Sequence, residues 1–227
     1  MEVIEGIEFS LEAESILGKL HIEPGSGDAE SMLPLIDLAR EVGRPKAAYS
    51  VCYIAGRDGD RVEIGDITFE SRMLARNLAE VERVFPFVAT CGHEMDEAFT
   101  GDGDILKQYC WDIIKDQMLK AAREVLVDEL QERYRLEKTA AMHPGSGDVS
   151  IWPVEQQRNL FSLLGDVEQS VGVRLTESCL MMPNKTVSGI LFPTESDFRS
   201  CEVCKRENCP SRRAAFRPEL WREIDQG

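Results

Sequence analysis

The feature that most constrains the fold is a long segment of helical periodicity that begins after residues 101–104 and runs to about Lys138. Its apolar residues recur every three or four positions, so they form one stripe along an α-helix. The stripe consists of Cys110, Ile114, Met118, Ala121, Val125, Leu130 and Tyr134. Lys115, Asp116, Lys120 and Asp128 are predicted to lie away from the stripe. A helix with this pattern must pack against a core, which the rest of the chain has to supply.

The other segments alternate between strand and helix patterns. Segments rich in β-formers predict strands at 47–54, 61–69, 84–90, 171–176 and 186–192, the first two joined across a turn at 56–60. Helices are predicted at 71–81, with Ser71 as the N-cap, and after Pro153, because proline fits the first helical turn. These elements follow no regular βαβ repeat. We therefore predict one α+β domain with an antiparallel or mixed sheet and a long packed helix.

The chain divides into three stretches by composition. Residues 1–45 mix short helical periodicity with turn residues, residues 46–198 form the predicted α+β core, and residues 199–227 are cysteine-rich and then basic. No linker rich in proline, glycine and serine separates them. We expect the first and last stretches to be attached to a single core.

The charge balance narrows the choice of partners. The sequence has 26 basic and 41 acidic residues, a net charge of -15, which repels nucleic-acid phosphates and anionic membranes. The acidic N-terminus does not resemble a secretory signal, and the seven cysteines are an odd number. We therefore expect a cytoplasmic protein with reduced thiols, and neither nucleic acid nor a membrane as partner.

A compact cysteine motif predicts a metal site near the C-terminus. Cys201, Cys204 and Cys209 follow the pattern Cys-x-x-Cys-x-x-x-x-Cys-Pro, and Cys179 is the candidate fourth ligand. The spacing and the following proline fit a four-iron four-sulfur cluster, with tetrahedral zinc as the main alternative. Three free thiols remain the simplest other explanation. The remaining cysteines, Cys52, Cys91 and Cys110, lie within apolar periodicity and are predicted to belong to the core.

A glycine-containing loop is the second candidate site. In the segment His143-Pro-Gly-Ser-Gly-Asp148, Gly145 and Gly147 would allow backbone amides to approach a nucleoside or a carboxylate closely. Ser146 and Asp148 belong to the same loop, and an ordinary tight turn is the alternative.

A carboxylate beside a predicted strand end is the third candidate. Glu177 follows the 171–176 strand, where it could act as an acid, a hydrogen-bond acceptor or a structural carboxylate.

Several motifs taken together resemble the activation domain of cobalamin-dependent methionine synthase. They are Leu175-Thr-Glu-Ser, Met182-Pro and Val187-Ser-Gly, preceded by the His143 loop and the helix Leu160-Phe-Ser-Leu-Leu164. The end of the long helix, at 128–135, and the strand at 85–92 resemble the corresponding parts of that family, so the likeness covers roughly residues 45–200. It is greater still for stand-alone bacterial relatives with a Pro-Gly-x-Gly-Asp loop and a cysteine-rich tail.

The resemblance implies a fold and a ligand. Its members are curved α+β domains that bind S-adenosylmethionine and close over a partner's corrinoid. The ligand-binding positions of the family fall on the 143–148 loop, on Glu124 of the long helix and near Phe198. An arginine and a tyrosine of the family site are replaced here by Ala141 and Ser146, which predicts weak S-adenosylmethionine binding.

The resemblance also implies a function. We expect an accessory protein for the reductive reactivation, by methylation, of cobalamin carried by methionine synthase or a related corrinoid methyltransferase. The partner would be a corrinoid-binding protein, and the chain would be a component of that methyltransferase activity rather than the whole enzyme. The alternative is a non-catalytic module that binds the corrinoid protein and contains structural zinc.

Overall fold

The computed structural model describes residues 1–99, 101, 103–146, 151–209 and 212–226. The strands are β1 Glu2–Ile4, β2 Lys46–Tyr49, β3 Cys52–Asp58, β4 Arg61–Ile64, β5 Ile67–Glu70, β6 Arg83–Thr90, β7 Thr139–Met142, β8 Arg174–Leu175, β9 Met181–Met182 and β10 Thr186–Pro193. The helices are α1 Ala13–Lys19, α2 Gly27–Val42, α3 Arg72–Asn77, α4 Glu94–Ala98, α5 Ile105–Tyr134, α6 Gln157–Leu164, α7 Val167–Val171 and α8 Pro218–Gln226. Short 3-10 turns span Val154–Gln156 and Ser200–Val203.

The predicted long helix is α5, and both of its ends have a local cause. The Asp104 carboxylate accepts hydrogen bonds from the backbone N–H groups of Leu106 and Lys107 at 2.9 and 3.2 Å, as an N-cap does. The helix ends at Arg135, whose left-handed backbone conformation stops the hydrogen-bond ladder. The helix therefore ends a few residues before the predicted Lys138.

The placement of Lys115 on the exposed side of this helix was wrong. Its side chain is buried and donates to the Asp96 carboxylate on α4 and to the Asn184 side-chain oxygen, each at 2.5 Å. Lysine counts as polar in an apolar periodicity, so the pattern predicted that Lys115 faces solvent. The paired carboxylate and amide lie far away in sequence, and only the fold brings them to the ammonium group.

The antiparallel sheet is organised around β6. One edge of β6 pairs with β10 from Thr90 to Phe85, while the other pairs first with β3 and then with β2. Hairpins extend the sheet through β4 and β5, and β7 adds to the far side of β10. All of these pairings are antiparallel, which confirms the α+β class with an antiparallel sheet.

The sheet is covered on both faces, by different helices. The second half of α5 packs its Ala122, Leu126 and Leu130 against apolar residues of β2, β6 and β10. On the opposite face, α3, α6, α7 and α8 contribute to a larger core that includes Trp152. The first half of α5 packs against α1, α2 and α4 in a third cluster. The apolar stripe of α5 thus serves two cores in succession. Its second half was predicted one residue out of place, because Ala122 and Leu126 are buried whereas the predicted Ala121 and Val125 are half-buried.

Three strand predictions were wrong in their details. The predicted strand at 47–54 is divided between β2 and β3, with a break at residues 50–51. Residues 61–69 form the hairpin of β4 and β5 instead of one strand, because Gly65 adopts a positive φ between them. Residues 167–171 form helix α7, capped by Asp166, so that only Arg174 and Leu175 of the predicted 171–176 strand are extended. The strand at 186–192 and the Ser71 cap are confirmed.

A helix that crosses a membrane must be both long and apolar. Within the part of the chain described above, none is long and apolar enough to cross a bilayer.

Candidate ligand-binding groove

A groove of about 560 Å³ lies where α5, the edge strands β7 and β10, and the C-terminal tail meet. Its wall is formed by Arg123, Val127, Lys138, Thr139, Ala140, Ala141, His143, Ser146, Val187, Leu191, Ser196, Asp197, Phe198, Arg199, Ser200, Cys201 and Arg213. A volume of this size suits a nucleoside or a small cofactor. The segment 196–201 closes one side, so the cysteine-rich tail takes part in the site.

His143 is held in the groove by the neighbouring strand. Its Nδ1 lies 2.8 Å from the Ser188 carbonyl oxygen, and because a carbonyl only accepts, Nδ1 carries the proton and donates. The approach depends on Gly189, where an added Cβ would lie 2.6 Å from that same Nδ1. The pKa of His143 is lowered to about 4, mainly by burial and also by the positive charges of Arg123 and Arg213, although the hydrogen bond with Ser188 acts in the opposite direction. The imidazole is therefore neutral at pH 7.

The loop after His143 is a tight turn. The Ser146 N–H donates to the His143 carbonyl at 3.0 Å, and the Gly145 N–H donates to the Trp152 carbonyl at 2.9 Å. Gly145 has a φ of 75°, and a side chain there would also meet Val154. His143 and Ser146 line the groove, whereas Gly145 shapes the turn behind it. The predicted ligand residues Gly147 and Asp148 lie outside the described residues.

The two predicted carboxylates do not line this groove. Glu124 is exposed on α5 and lies 3.5 Å from Lys120, while the neighbouring Arg123 lines the wall instead. Glu177 is exposed on the turn between β8 and β9, where its carbonyl accepts a hydrogen bond from Arg158. A ligand role for either carboxylate remains a prediction.

The turn between β8 and β9 is tied together by several polar contacts. The Thr176 N–H donates to the Leu180 carbonyl at 2.8 Å, and the Leu180 N–H donates to the Thr176 hydroxyl at 3.0 Å. Cys179 adopts a left-handed backbone with a φ of 62°, and Arg158 Nε donates to its sulfur at 3.3 Å. The turn therefore presents Leu180, which is 63% exposed, from a constrained backbone.

The predicted metal ligands are not gathered in this structure. No three His, Cys, Asp or Glu side chains among the described residues are arranged to hold a metal ion. Instead, the Arg212 guanidinium donates to the backbone carbonyls of Cys201 and Cys204 at 3.2 and 3.3 Å, and also to the Arg206 carbonyl. Cys201, Cys204 and Cys209 are half-buried free thiols, while Cys179 is buried beside Arg158. The cysteine loop is thus organised around an arginine.

The cysteines assigned to the core follow that prediction in part. Cys91 and Cys110 are fully buried, and burial raises the pKa of their thiols to about 12 and about 11. Cys52 is half-buried, and burial again raises its thiol pKa. Neutral thiols of this kind are poor nucleophiles and poor metal ligands.

The basic residues of the groove were missed by sequence reasoning. Arg123 comes from α5, Lys138 precedes β7, and Arg199 and Arg213 belong to the C-terminal tail. These residues lie far apart in the sequence, and nothing in their spacing indicates that they share one site. The sequence offered one indication. Arg123 directly precedes Glu124 on the long helix, so a helical face rotated by one residue would have placed Arg123 in the predicted site.

Comparison with known proteins agrees with this architecture. A family model described as vitamin B12 dependent methionine synthase, activation domain, matches residues 73–213. A crystal structure of the MetH reactivation domain bound to AdoHcy is similar over 87% of this chain and 80% of that chain, with a TM-score of 0.59 and 18% identity. No curated protein sequence matches the chain significantly.

The fold is an α+β domain with a central antiparallel sheet and a groove at its edge. The family match spans more than half of the chain and includes β6, α5, β7 and the groove. The chain belongs to the activation domain family of vitamin B12-dependent methionine synthase. Its role is therefore in the cobalamin reactivation that this family serves.

Proposed function

We propose that the chain acts in trans, on cobalamin carried by a corrinoid-binding protein or by the corresponding module of methionine synthase. In this proposal the cofactor is carried by the partner's corrinoid-binding domain. Family membership is the observation that carries this proposal. The cytoplasmic location expected from the reduced thiols suits such a partner.

The proposed reaction returns off-cycle cob(II)alamin to service. One electron from an external low-potential reductant gives cob(I)alamin, whose electron pair takes a methyl group from a sulfonium donor such as S-adenosylmethionine. The donor leaves as its neutral thioether. The chain would cover the corrinoid and favour the conformation in which the cobalt accepts the electron. By thermodynamic linkage, the affinity of the chain for the corrinoid protein would then depend on the oxidation state of the cobalt.

The proposed docking face lies between the Pro144 turn and the segment 176–183. Leu180 projects from this segment with 63% of its surface exposed, and its neighbours Met181 and Met182 are half-buried. Exposed apolar side chains on a constrained turn suit contact with a large, partly apolar cofactor and the protein around it. Hydrogen bonds at Thr176 and the left-handed Cys179 would keep Leu180 in place during docking.

Replacing Leu180 with aspartate tests this face. We expect association with the cob(II)alamin form of the partner to weaken by about tenfold, as a central apolar contact is lost. Ile105→Asp is the matched control, because Ile105 is 80% exposed at the start of α5 and does not belong to the segment 176–183. Titration calorimetry with cob(II)alamin and methylcobalamin partners measures both affinities. Equal binding by wild type and Leu180→Asp would contradict the docking face.

We also propose that Cys201, Cys204 and Cys209 bind a metal centre, with Cys179 as fourth ligand. The support is their spacing and their half-buried positions in the tail. Binding would require the Arg212 guanidinium to leave the carbonyls that it now contacts. An iron–sulfur cluster would supply electrons to the site, whereas zinc would only hold the tail.

Metal analysis after anaerobic purification tests this assignment. We expect about one metal centre per chain and its loss in Cys204→Ser. Cys52→Ser is the control, since Cys52 is half-buried in β3 outside the motif. Iron with sulfide would identify a redox centre, and zinc would identify a structural site. Full metal content in Cys204→Ser, or none in the wild type, would refute the proposed ligands.

A further inference from the structure

We propose that the groove binds a phosphorylated ligand with a planar ring, a ligand of the nucleotide class, in preference to S-adenosylmethionine. The site is the groove between α5, β7, β10 and the C-terminal tail. The inference concerns this chain alone and does not depend on the corrinoid partner. It rests on the charges of the groove, the partners of those charges and the chemistry of its walls.

The groove is strongly positive in a protein that is strongly negative. Arg123, Lys138, Arg199 and Arg213 line it, and among the described lining residues Asp197 is the one carboxylate. That carboxylate lies 2.6 Å from the Lys138 ammonium and also interacts with Arg199, so among the described lining residues Arg123 and Arg213 face no carboxylate. The whole chain has a net charge of -15, which makes this local excess of positive charge exceptional on its surface. Such a cluster attracts anions.

Arg123 is the central residue of this cluster. It is half-buried, and within the described chain it makes no hydrogen bond or ion pair. Other arginines of the fold do pair with a carboxylate, such as Arg57 with Glu82 at 3.2 Å and Arg72 with Asp60 at 2.9 Å. Burial lowers the pKa of Arg123, and the charge of Arg213 lowers it further, although Asp116 and Glu124 act in the opposite direction. Two guanidinium groups that oppose each other electrostatically would both gain from an anion between them.

The remaining walls suit a planar ring. Val127, Ala140, Val187 and Leu191 provide apolar surface, and the half-buried Phe198 provides an aromatic face for stacking. The Ser200 hydroxyl is buried without a hydrogen-bond partner among the described residues and also lines the groove. The volume of about 560 Å³ accommodates a nucleoside together with its phosphates.

The same charges disfavour S-adenosylmethionine. That molecule carries a sulfonium and an ammonium group against one carboxylate, so it is a net cation near neutral pH. Its carboxylate would gain from Arg123, but its positive groups would meet the other guanidinium groups in a partly desolvated site. A phosphorylated ligand has no such conflict.

Calorimetric titration of the full chain with ADP, adenosine, pyrophosphate and S-adenosylmethionine tests the proposal. We expect ADP to bind about tenfold or more tightly than each of the other three, because it alone combines ring and phosphates. Arg213→Gln should weaken ADP binding by about tenfold without disturbing the fold, since Arg213 is exposed. Arg123→Gln should do the same. Arg222→Gln is the control, because Arg222 lies on α8 outside the groove wall.

Each other outcome overturns the proposal. Tighter binding of S-adenosylmethionine than of ADP would show that the charges do not select the ligand. Equal binding of pyrophosphate and ADP would show a simple anion site without a ring pocket. Unchanged ADP affinity in both groove variants would place the ligand elsewhere. None of these results bears on cobalamin reactivation, because no corrinoid protein is present in the titration.

Discussion

Trp152→Ala is expected to lower the free energy of unfolding by about 4 kcal/mol, the usual cost of removing a fully buried tryptophan side chain. Trp152 is completely buried, and its ring meets Phe69 edge-on with centroids 6.3 Å apart. It joins the β4–β5 hairpin to α6 through the larger core, and its indole N–H donates to the Gln156 side-chain oxygen at 3.2 Å. Truncation would leave a cavity between these elements.

Urea unfolding measures this loss, with Trp221→Ala as the matched control. Trp221 lies on α8 at the border of the same core and is only half-buried, so its truncation should cost clearly less. A comparable loss in both variants would mean that Trp152 is not at the centre of the core.

Lys115→Met is expected to cost about 3 kcal/mol, because it removes the cation from a largely buried ion pair. Methionine retains the apolar length of the side chain but leaves the Asp96 carboxylate and the Asn184 oxygen without their 2.5 Å donor. Asp96 retains 33% of its side-chain exposure, which keeps the expected cost at the lower end for buried pairs.

Lys120, on the same helix, provides the control for the Lys115 variant. Lys120→Met removes an exposed pair with Glu124 at 3.5 Å and should cost at most about 0.5 kcal/mol. Adding Asp96→Asn to Lys115→Met should recover part of the loss, since it removes the uncompensated charge. Equal unfolding free energies for Lys115→Met and wild type would show that the buried pair contributes nothing net.

Local chemistry explains the elements that the sequence predicted well. The Ser71 hydroxyl accepts from the Leu74 N–H at 3.2 Å, as a serine before a helical segment predicts. The long helix α5 follows its periodicity because it buries one side along its length. The strand β10 follows its run of β-forming residues, which is buried from Ser188 to Phe192. These elements can be predicted from sequence because a helix N-cap and an apolar stripe both depend on residues only a few positions apart.

Long-range contacts explain what the sequence did not predict. Strand β7 has a short, weakly alternating sequence, and its extended form depends on pairing with β10, where Ala141 faces Leu191. Lys115 appears polar in any periodic pattern until Asn184 is folded against it. The basic groove wall combines four segments, so its charges are visible only in the folded chain. The cysteine motif, in contrast, is conspicuous in sequence, yet its loop is folded around Arg212.

The most direct test of the cobalamin role is the rate at which a partner corrinoid protein leaves the cob(II)alamin state. The partner is poised as cob(II)alamin with a low-potential reductant, with and without S-adenosylmethionine, and its absorbance is followed as the chain is added. We expect a faster loss of cob(II)alamin, which saturates with the concentration of the chain and is reduced in Leu180→Asp. Identical rates with and without the chain, across the corrinoid partners of the same organism, would contradict it.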